Sequence, residues 1–226
     1  MTYLKLILIR HAESIGNVQG KMEGQSSTAL SDKGIHQVQQ LSAALTAELS
    51  TNDVHLARSS FVYSSSLLRA TQTADILIAS VGQSQYQISK DLQEIHQGIF
   101  QRLTWSEAQH QYPERCTQLL NTRQWQPVPQ AESPAAARTR AQSWVKQILH
   151  QHQPGETVWA ISHAGIMQQM VSVILGCDRT WKIPIHHTAR FEFWLSQTSW
   201  QTLTTDRYNP EYWILRRFND DSHLIN

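Results

Sequence analysis

The stretch KLILIRHAES, residues 5–14, joins an apolar run directly to a permanent cation, an imidazole and a carboxylate. From Leu4 to Ile9 the run has the length of a strand and no polar alternation, which predicts a strand buried on both faces of a parallel sheet. Such a strand has no structural need to end in Arg10–His11, with Glu13 just beyond. The same grammar recurs along the chain. FVYSS (61–65) reads as a second strand followed by the helical stretch LLRATQTADIL, and TVWAIS (157–162) as a third buried strand followed by AGIMQQMVSVIL and a closing Gly176.

The remaining segments fit around these units. IHQVQQLSAALTAEL places Val38, Leu41, Leu45 and Leu49 on one helical face. Thr104-Trp-Ser-Glu107 is a capping-box pattern and predicts a short helix ending before Pro113. Ser133-Pro134 supplies an N-cap and an N1 proline for a helix running to Pro154-Gly155. RFEFWLS (190–196), SWQTLTT (199–205) and YWILRR (212–217) read as closing strands. Residues 12–33 form a long Gly- and Ser-rich loop, of the kind that is more often functional than idle, and residues 82–103 read as irregular. Strand–helix alternation therefore predicts an α/β fold: a three-layer α/β/α sandwich with a mostly parallel central sheet and right-handed crossovers. With no internal repeat, low-complexity tract or linker, residues 1–226 are expected to form a single domain.

Composition narrows the function. A chain of 226 residues suits one α/β domain, able to bury about 70% of its unfolded surface. Its net charge of +1 gives no broad basic field for nucleic acid or an anionic membrane. Cys116 and Cys177 lack C-x-x-C spacing, which fits a reducing compartment. The apolar N-terminal run stops at Arg10, and no apolar run long enough for a membrane helix occurs. A cytoplasmic location is the resulting expectation.

In open parallel sheets, ligands bind beyond the carboxyl ends of the strands. His11 follows one strand, His163 follows another, and Arg69 opens the helix after a third. Two imidazoles and two guanidinium groups, those of Arg10 and Arg69, thus share one rim. Arginine offers a rigid fork of donors suited to a phosphate dianion. The helix starts after Ser64–Ser66 and after Ser162–His163, at Ala164, are expected to add backbone N–H donors. Hydrolysing a phosphate monoester requires acceleration of up to ~10²¹-fold, so the site must neutralise charge, supply a nucleophile and protonate the leaving alkoxide. His11 can attack through one ring nitrogen if an acceptor holds the other. Glu94, in DLQEIHQGIF, is the candidate acid, and Glu13 reads as a surface or structural residue. Asn17 is a candidate phosphate contact, its alternative being a loop cap.

Other features read as ordinary. GNVQGKMEG (16–24) has no G-K-[ST] and is not a nucleotide-binding Walker loop. His186–His187 and His150/His152 lack an organised carboxylate or cysteine partner and read as surface residues, so no metal site is expected. Trp144, Trp159 and Trp194 fall in apolar patterns and are expected in the core. Arg138 and Arg140 read as a solvated helix face.

RHAES followed by GN, then SSTALSDKG, YSSSLLRATQTA, LQEIHQG and ISHAG resemble the histidine phosphatase superfamily, in its phosphoglycerate-mutase-like branch (branch 1). The resemblance runs from about residue 4 to residue 175, with five separated motifs in the family's order, and the tail FNDDSHL is also similar. It implies a phosphoglycerate-mutase-like fold and a role for each matching position. His11 would become phosphohistidine; Arg10, Asn17, Arg69 and His163 would hold the transferring phosphoryl group; Glu94 would serve the leaving group and then the attacking water. No metal or organic cofactor is implied. Two departures stand out: Ala12 replaces the usual glycine after the RH pair, and IFQRL follows Gly98 where many relatives have Trp-Glu-Gly.

Compared with mutases of the branch, the interval from Glu94 to His163 is short, and residues 17–25 lack an aromatic residue beside Asn17. Hydrolysis of a small phosphomonoester is therefore the expected reaction. Candidate substrates are 3-phosphoglycerate derivatives, phosphoserine, α-ribazole phosphate and sugar phosphates, with phosphoserine first to test. The competing readings are a phosphoglycerate mutase, a hydrolase using His11, Glu13 and His163 as metal ligands, and a catalytically silent phospho-ligand-binding module. Retention of both His11 and Glu94 argues against the last. Homodimerisation through the closing strands is left open.

Overall fold

The structure, a computed structural model, describes residues 3–52, 59–122, 126–177, 179–196 and 213–224. Strands β1 (Leu4–Arg10), β2 (Ser60–Ser64), β3 (Gln87–Ile88), β4 (Thr157–Ser162), β5 (Arg190–Leu195) and β6 (Trp213–Asp220) form one sheet in the order β3-β2-β4-β1-β5-β6. The first four strands pair in parallel, whereas β5 runs antiparallel to β1, and β6 antiparallel to β5. Every residue of β4 is buried, as an unalternating apolar run demands. Arg10 pairs with Ser162 and Ser64 with Ile161, so the carboxyl ends of β1, β2 and β4 finish almost level. That register decides where the site lies.

Helices cover both faces. On one, Val38, Leu41 and Leu45 of α2 (Asp32–Asn52) and Ala70, Ala74 and Leu77 of α3 (Leu68–Leu77) pack on Ile7, Ile9, Val62, Trp159 and Ile161. On the other, α6 (Pro134–Gln151) and α7 (Ala164–Ile174) bury Trp144, Ile148, Met167 and Met170 against Leu4, Leu6, Leu8, Val158 and Ala160. The two-residue period of β1 sends odd and even positions into different cores. This is the expected three-layer α/β/α arrangement. Leu49, also predicted on the buried face of α2, has its side chain outside the described residues, as does the whole of SWQTLTT.

Trp144 is 1% exposed and meets Tyr63 edge-on. Trp144→Ala is expected to destabilise the fold by about 3–5 kcal/mol, because it removes a large buried side chain and leaves a cavity that its neighbours fill only in part. A urea titration should show a lower midpoint at an unchanged slope.

Several local expectations need correction. The loop after β1 contains a short helix, α1 (Ile15–Val18), because Ser14 and Asn17 form a reciprocal capping box. Pro113 does follow the end of α4 (Trp105–Gln111), but it also opens α5 (Pro113–Asn121) as an N-terminal proline. Within 82–103 lie β3 and two 3-10 turns, Lys90–Leu92 and Gly98–Phe100. Trp194 is only half-buried, with the Arg216 guanidinium 4.7 Å from its ring centroid and Lys5 Nζ 5.2 Å away. His152 is buried rather than superficial, bridging the Tyr63 hydroxyl and the Glu156 carboxylate. Cys116 and Cys177 are free thiols, and no helix among the described residues is long and apolar enough to cross a membrane.

Candidate active site

His11 lies one residue past β1, where its backbone N–H donates to Ser162 O at 2.9 Å. The imidazole is 3% exposed. Its Nδ1 lies 2.7 Å from Ala12 O, and a carbonyl can only accept, so Nδ1 carries the proton. Nε2 is then the bare nitrogen and receives the Arg69 Nε–H at 3.2 Å. Ala12 fits without strain: its N–H donates to Thr73 Oγ1, and it is not among the described non-glycine residues with positive φ.

The level strand ends bring His163 close, with its ring centroid 4.8 Å from that of His11. His163 is fully buried; its Nε2 bonds Ser65 Oγ at 2.8 Å, while its Nδ1 has no protein partner. Burial, reinforced by Arg69 and Arg10, holds both imidazoles well below their ordinary pKa; His163 adds to the effect on His11. A lowered pKa keeps the ring neutral as pH falls through the usual histidine range. Accordingly, ¹³C-labelled His11 should show no NMR titration near the unperturbed value of about 6.5. A titration there would mean that the ring is protonated when it is needed as a nucleophile.

Both arginines are fixed by carbonyls. Arg69, 1% exposed on α3, donates from Nη1 to Ser26 O and from Nη2 to Gly24 O, at 2.6 and 2.8 Å. Arg10 donates from Nη1 to Ile185 O at 2.6 Å and from Nη2 to His187 Nε2 at 2.9 Å. Asn17 turns out to be both cap and cleft residue. Its Oδ1 accepts from Ser14 N, and its Nδ2 donates to Glu23 Oε2 at 2.9 Å.

Glu94 reaches the site from an irregular segment. Its carboxylate accepts from the backbone N–H groups of Gly165 and Ile166, both at 3.0 Å, and from its own neighbour Ile95 at 2.8 Å. The N–H groups of Gly165 and Ile166, which follow Ala164 at the start of α7, are therefore taken up by this side chain. A Cβ on Gly165 would stand 2.5 Å from Glu94 Oε1, which explains the glycine.

Arg140 anchors the same segment, with Nη1 donating to Asp91 O and Gln93 O while Nε and Nη2 grip both oxygens of Glu132. The expectation of a solvated face fails here because the irregular segment passes over α6. Arg138 is likewise half-buried and donates to Cys177 O.

Arg10, His11, Asn17, Arg69 and Glu94 line a cleft of about 220 Å³ together with Lys21, Met22, Glu23, Gly24 and Gln97. Of the sequence-selected residues only His163 and Ala164 do not border it directly, and the His163 ring meets that of His11 at a tilt of 56°. Glu13 turns away to Ser31 and Lys33.

Sequence reading missed His187, whose ring centroid is 5.9 Å from that of His11. Burial beside Arg10 pushes its pKa down to about 3. It arrives because β5 pairs back on β1, so that Thr188 N donates to Arg10 O. No spacing rule signals that. His186 is the exposed histidine of the pair, bonded to Asp221.

Residues 6–221 match the family model of the histidine phosphatase superfamily (branch 1). The chain is 30% identical over 181 residues to phosphoserine phosphatase 1 of Hydrogenobacter thermophilus, a match covering 77% of this chain and 78% of that protein. It is 29% identical over 169 residues to phosphoglycerate mutase-like protein 4 of Arabidopsis thaliana, covering 74% and 70%. Among solved structures, the α-ribazole phosphatase of Shigella flexneri shares the fold with a TM-score of 0.73 at 21% identity, covering 96% of this chain and 97% of that one. A family match over nearly the whole length, together with that shared fold, shows that this chain belongs to branch 1 of the histidine phosphatase superfamily.

Proposed function

We propose that the protein hydrolyses a small phosphomonoester through a phosphohistidine on His11, without a metal or organic cofactor. The observation that carries this reading is the tautomer of His11. Ala12 O holds Nδ1–H, so Nε2 is the unprotonated nitrogen; its lone pair rests on the Arg69 Nε–H in a cleft flanked by two guanidinium groups and attacks as that donor turns to the phosphoryl oxygens. In the first step Nε2 bonds to phosphorus and the ester P–O bond breaks, its electron pair leaving on the alkoxide. Glu94, entering as the acid, gives that oxygen its proton. In the second step water attacks phosphorus, passes a proton to the Glu94 carboxylate, and the N–P bond breaks to restore neutral His11.

Arg10, Arg69, Asn17 and the Nδ1 of His163 are suited to hold the phosphoryl oxygens, because an unpartnered buried nitrogen is costly until a ligand satisfies it. Hydrolysis is favoured over mutase chemistry by the short interval from Glu94 to His163 and by the lack of an aromatic residue beside Asn17. Phosphoserine is the first substrate to try. A phosphoserine phosphatase stands among the relatives, and Lys21 and Gln97 at the rim offer a cation and an amide to a carboxylate.

The test is a rapid-quench reaction with ³²P-labelled phosphoserine and other monoesters after exhaustive chelation. Label on the protein that is acid-labile and base-stable, followed by free phosphate, is the expected result. Phosphoryl transfer between sugar-acid positions without release would indicate a mutase. Binding without any label would indicate a silent module, and activity lost on chelation would indicate a metal.

A further inference from the structure

Glu23 lies in the same cleft, yet it bears the same sign of charge as the group that cleft is proposed to hold. Its side chain is 5% exposed. Oε2 accepts from Ser14 Oγ at 2.6 Å and from Asn17 Nδ2 at 2.9 Å, and lies 3.7 Å from Arg69 Nε. Oε1 accepts from Thr28 Oγ1. Space for the carboxylate is reserved, since a Cβ on Gly16 would overlap it.

The charge balance is informative. Arg10, Arg69 and Lys21 bring positive charge to the cleft and Glu23 a negative one, while the second carboxyl, Glu94, is the group proposed to carry the transferable proton and the buried imidazoles are neutral. Glu94 has a proton-transfer part to play, whereas Glu23 has none. What Glu23 does hold is Asn17 Nδ2, a donor suited to the phosphoryl group, and its charge lies 3.7 Å from Arg69 Nε, whose N–H goes to His11 Nε2. A carboxylate there acts as a placeholder: it keeps that amide aimed at the cleft when no ligand is bound, faces the Arg69 charge and opposes an incoming dianion.

We infer that Glu23 is a built-in counter-anion of the phosphate site, a positioning residue that weakens retention of phosphate dianion. This rests on the cleft being a phosphate site. Coulomb interaction between unit charges a few ångströms apart in a poorly solvated cleft is large enough to change affinity by at least about tenfold. Glu23→Gln keeps the shape and an acceptor for Ser14 or Thr28 but removes the charge.

The experiment measures inorganic phosphate binding by calorimetry, and its inhibition constant, for the unmodified protein, E23Q and the charge-retaining Glu23→Asp. E23Q should bind phosphate at least about tenfold tighter, with KM for the phosphomonoester falling in parallel, and the gain should grow as rising pH converts phosphate to the dianion. E23D should show no gain. Equal or weaker binding by E23Q would overturn the inference and leave Glu23 as a loop brace.

A measurement on the unmodified protein guards against a variant that fails to fold. Its phosphate affinity should not tighten as pH rises and phosphate gains charge; tenfold tightening would equally overturn the inference. Phosphate binding by none of the proteins would remove the phosphate-site reading itself, and the inference with it.

Discussion

Replacement of His11 by alanine is expected to eliminate turnover, with kcat falling by at least about 10⁴-fold, the scale seen when a covalent nucleophile is removed. Among the described residues no second nucleophile is placed to take over. The neighbouring imidazole, His163, accepts the Ser65 O–H at Nε2, since Ser65 Oγ itself accepts from Leu67 N, and its Nδ1 then carries the ring proton and has no lone pair to attack with. Phosphate binding should survive, since Arg69 and Arg10 are fixed by the carbonyls of Ser26, Gly24 and Ile185, not by His11. Steady-state assays with calorimetry of phosphate separate the two effects. A variant that keeps kcat within a hundredfold of the original would remove His11 from the nucleophile's role, while one that also loses phosphate binding would show that the ring organises the pocket.

The sequence carried most of this site because its key residues sit at strand ends. The apolar runs before Arg10–His11 and His163 are unambiguous, and a parallel sheet must place their carboxyl ends on one rim. Level registers, Arg10 against Ser162 and Ser64 against Ile161, then bring the groups within reach. What escaped lies where no periodicity exists. Glu23 sits in a Gly-rich loop whose shape depends on capping by Ser14 and on contacts with Arg69 from another element. His187 depends on an antiparallel return to β1 that its own neighbours do not announce. Arg140 failed for a different reason. A helical period says which way a side chain leaves its own helix, not that carbonyls of residues 91 and 93 will be waiting for it. Pro113 was a true stop signal that was also a start signal, and local pattern alone does not separate the two.

Glu94→Gln should produce the second large effect, and its form depends on the substrate. An alkyl phosphate leaves as a strongly basic alkoxide and needs the proton, so kcat/KM should drop by about 10²–10⁴-fold, the usual worth of a positioned acid. An aryl phosphate leaves as a weakly basic phenolate. Its kcat/KM, set by formation of the phosphoenzyme, should stay within about tenfold of the original. The same variant lacks the base that receives the proton of the attacking water, so the aryl ester should show a burst of phenol followed by slow turnover while phosphohistidine accumulates. An independent perturbation reaches the same carboxylate from the other side: Gly165→Ala places a methyl group 2.5 Å from Oε1 and should depress alkyl turnover selectively, with His11 untouched. Equal losses in kcat/KM on both ester types would assign the acid elsewhere. Glu94 would then merely cap α7, because capping Gly165 and Ile166 serves every substrate alike and proton donation serves only those whose leaving group requires it.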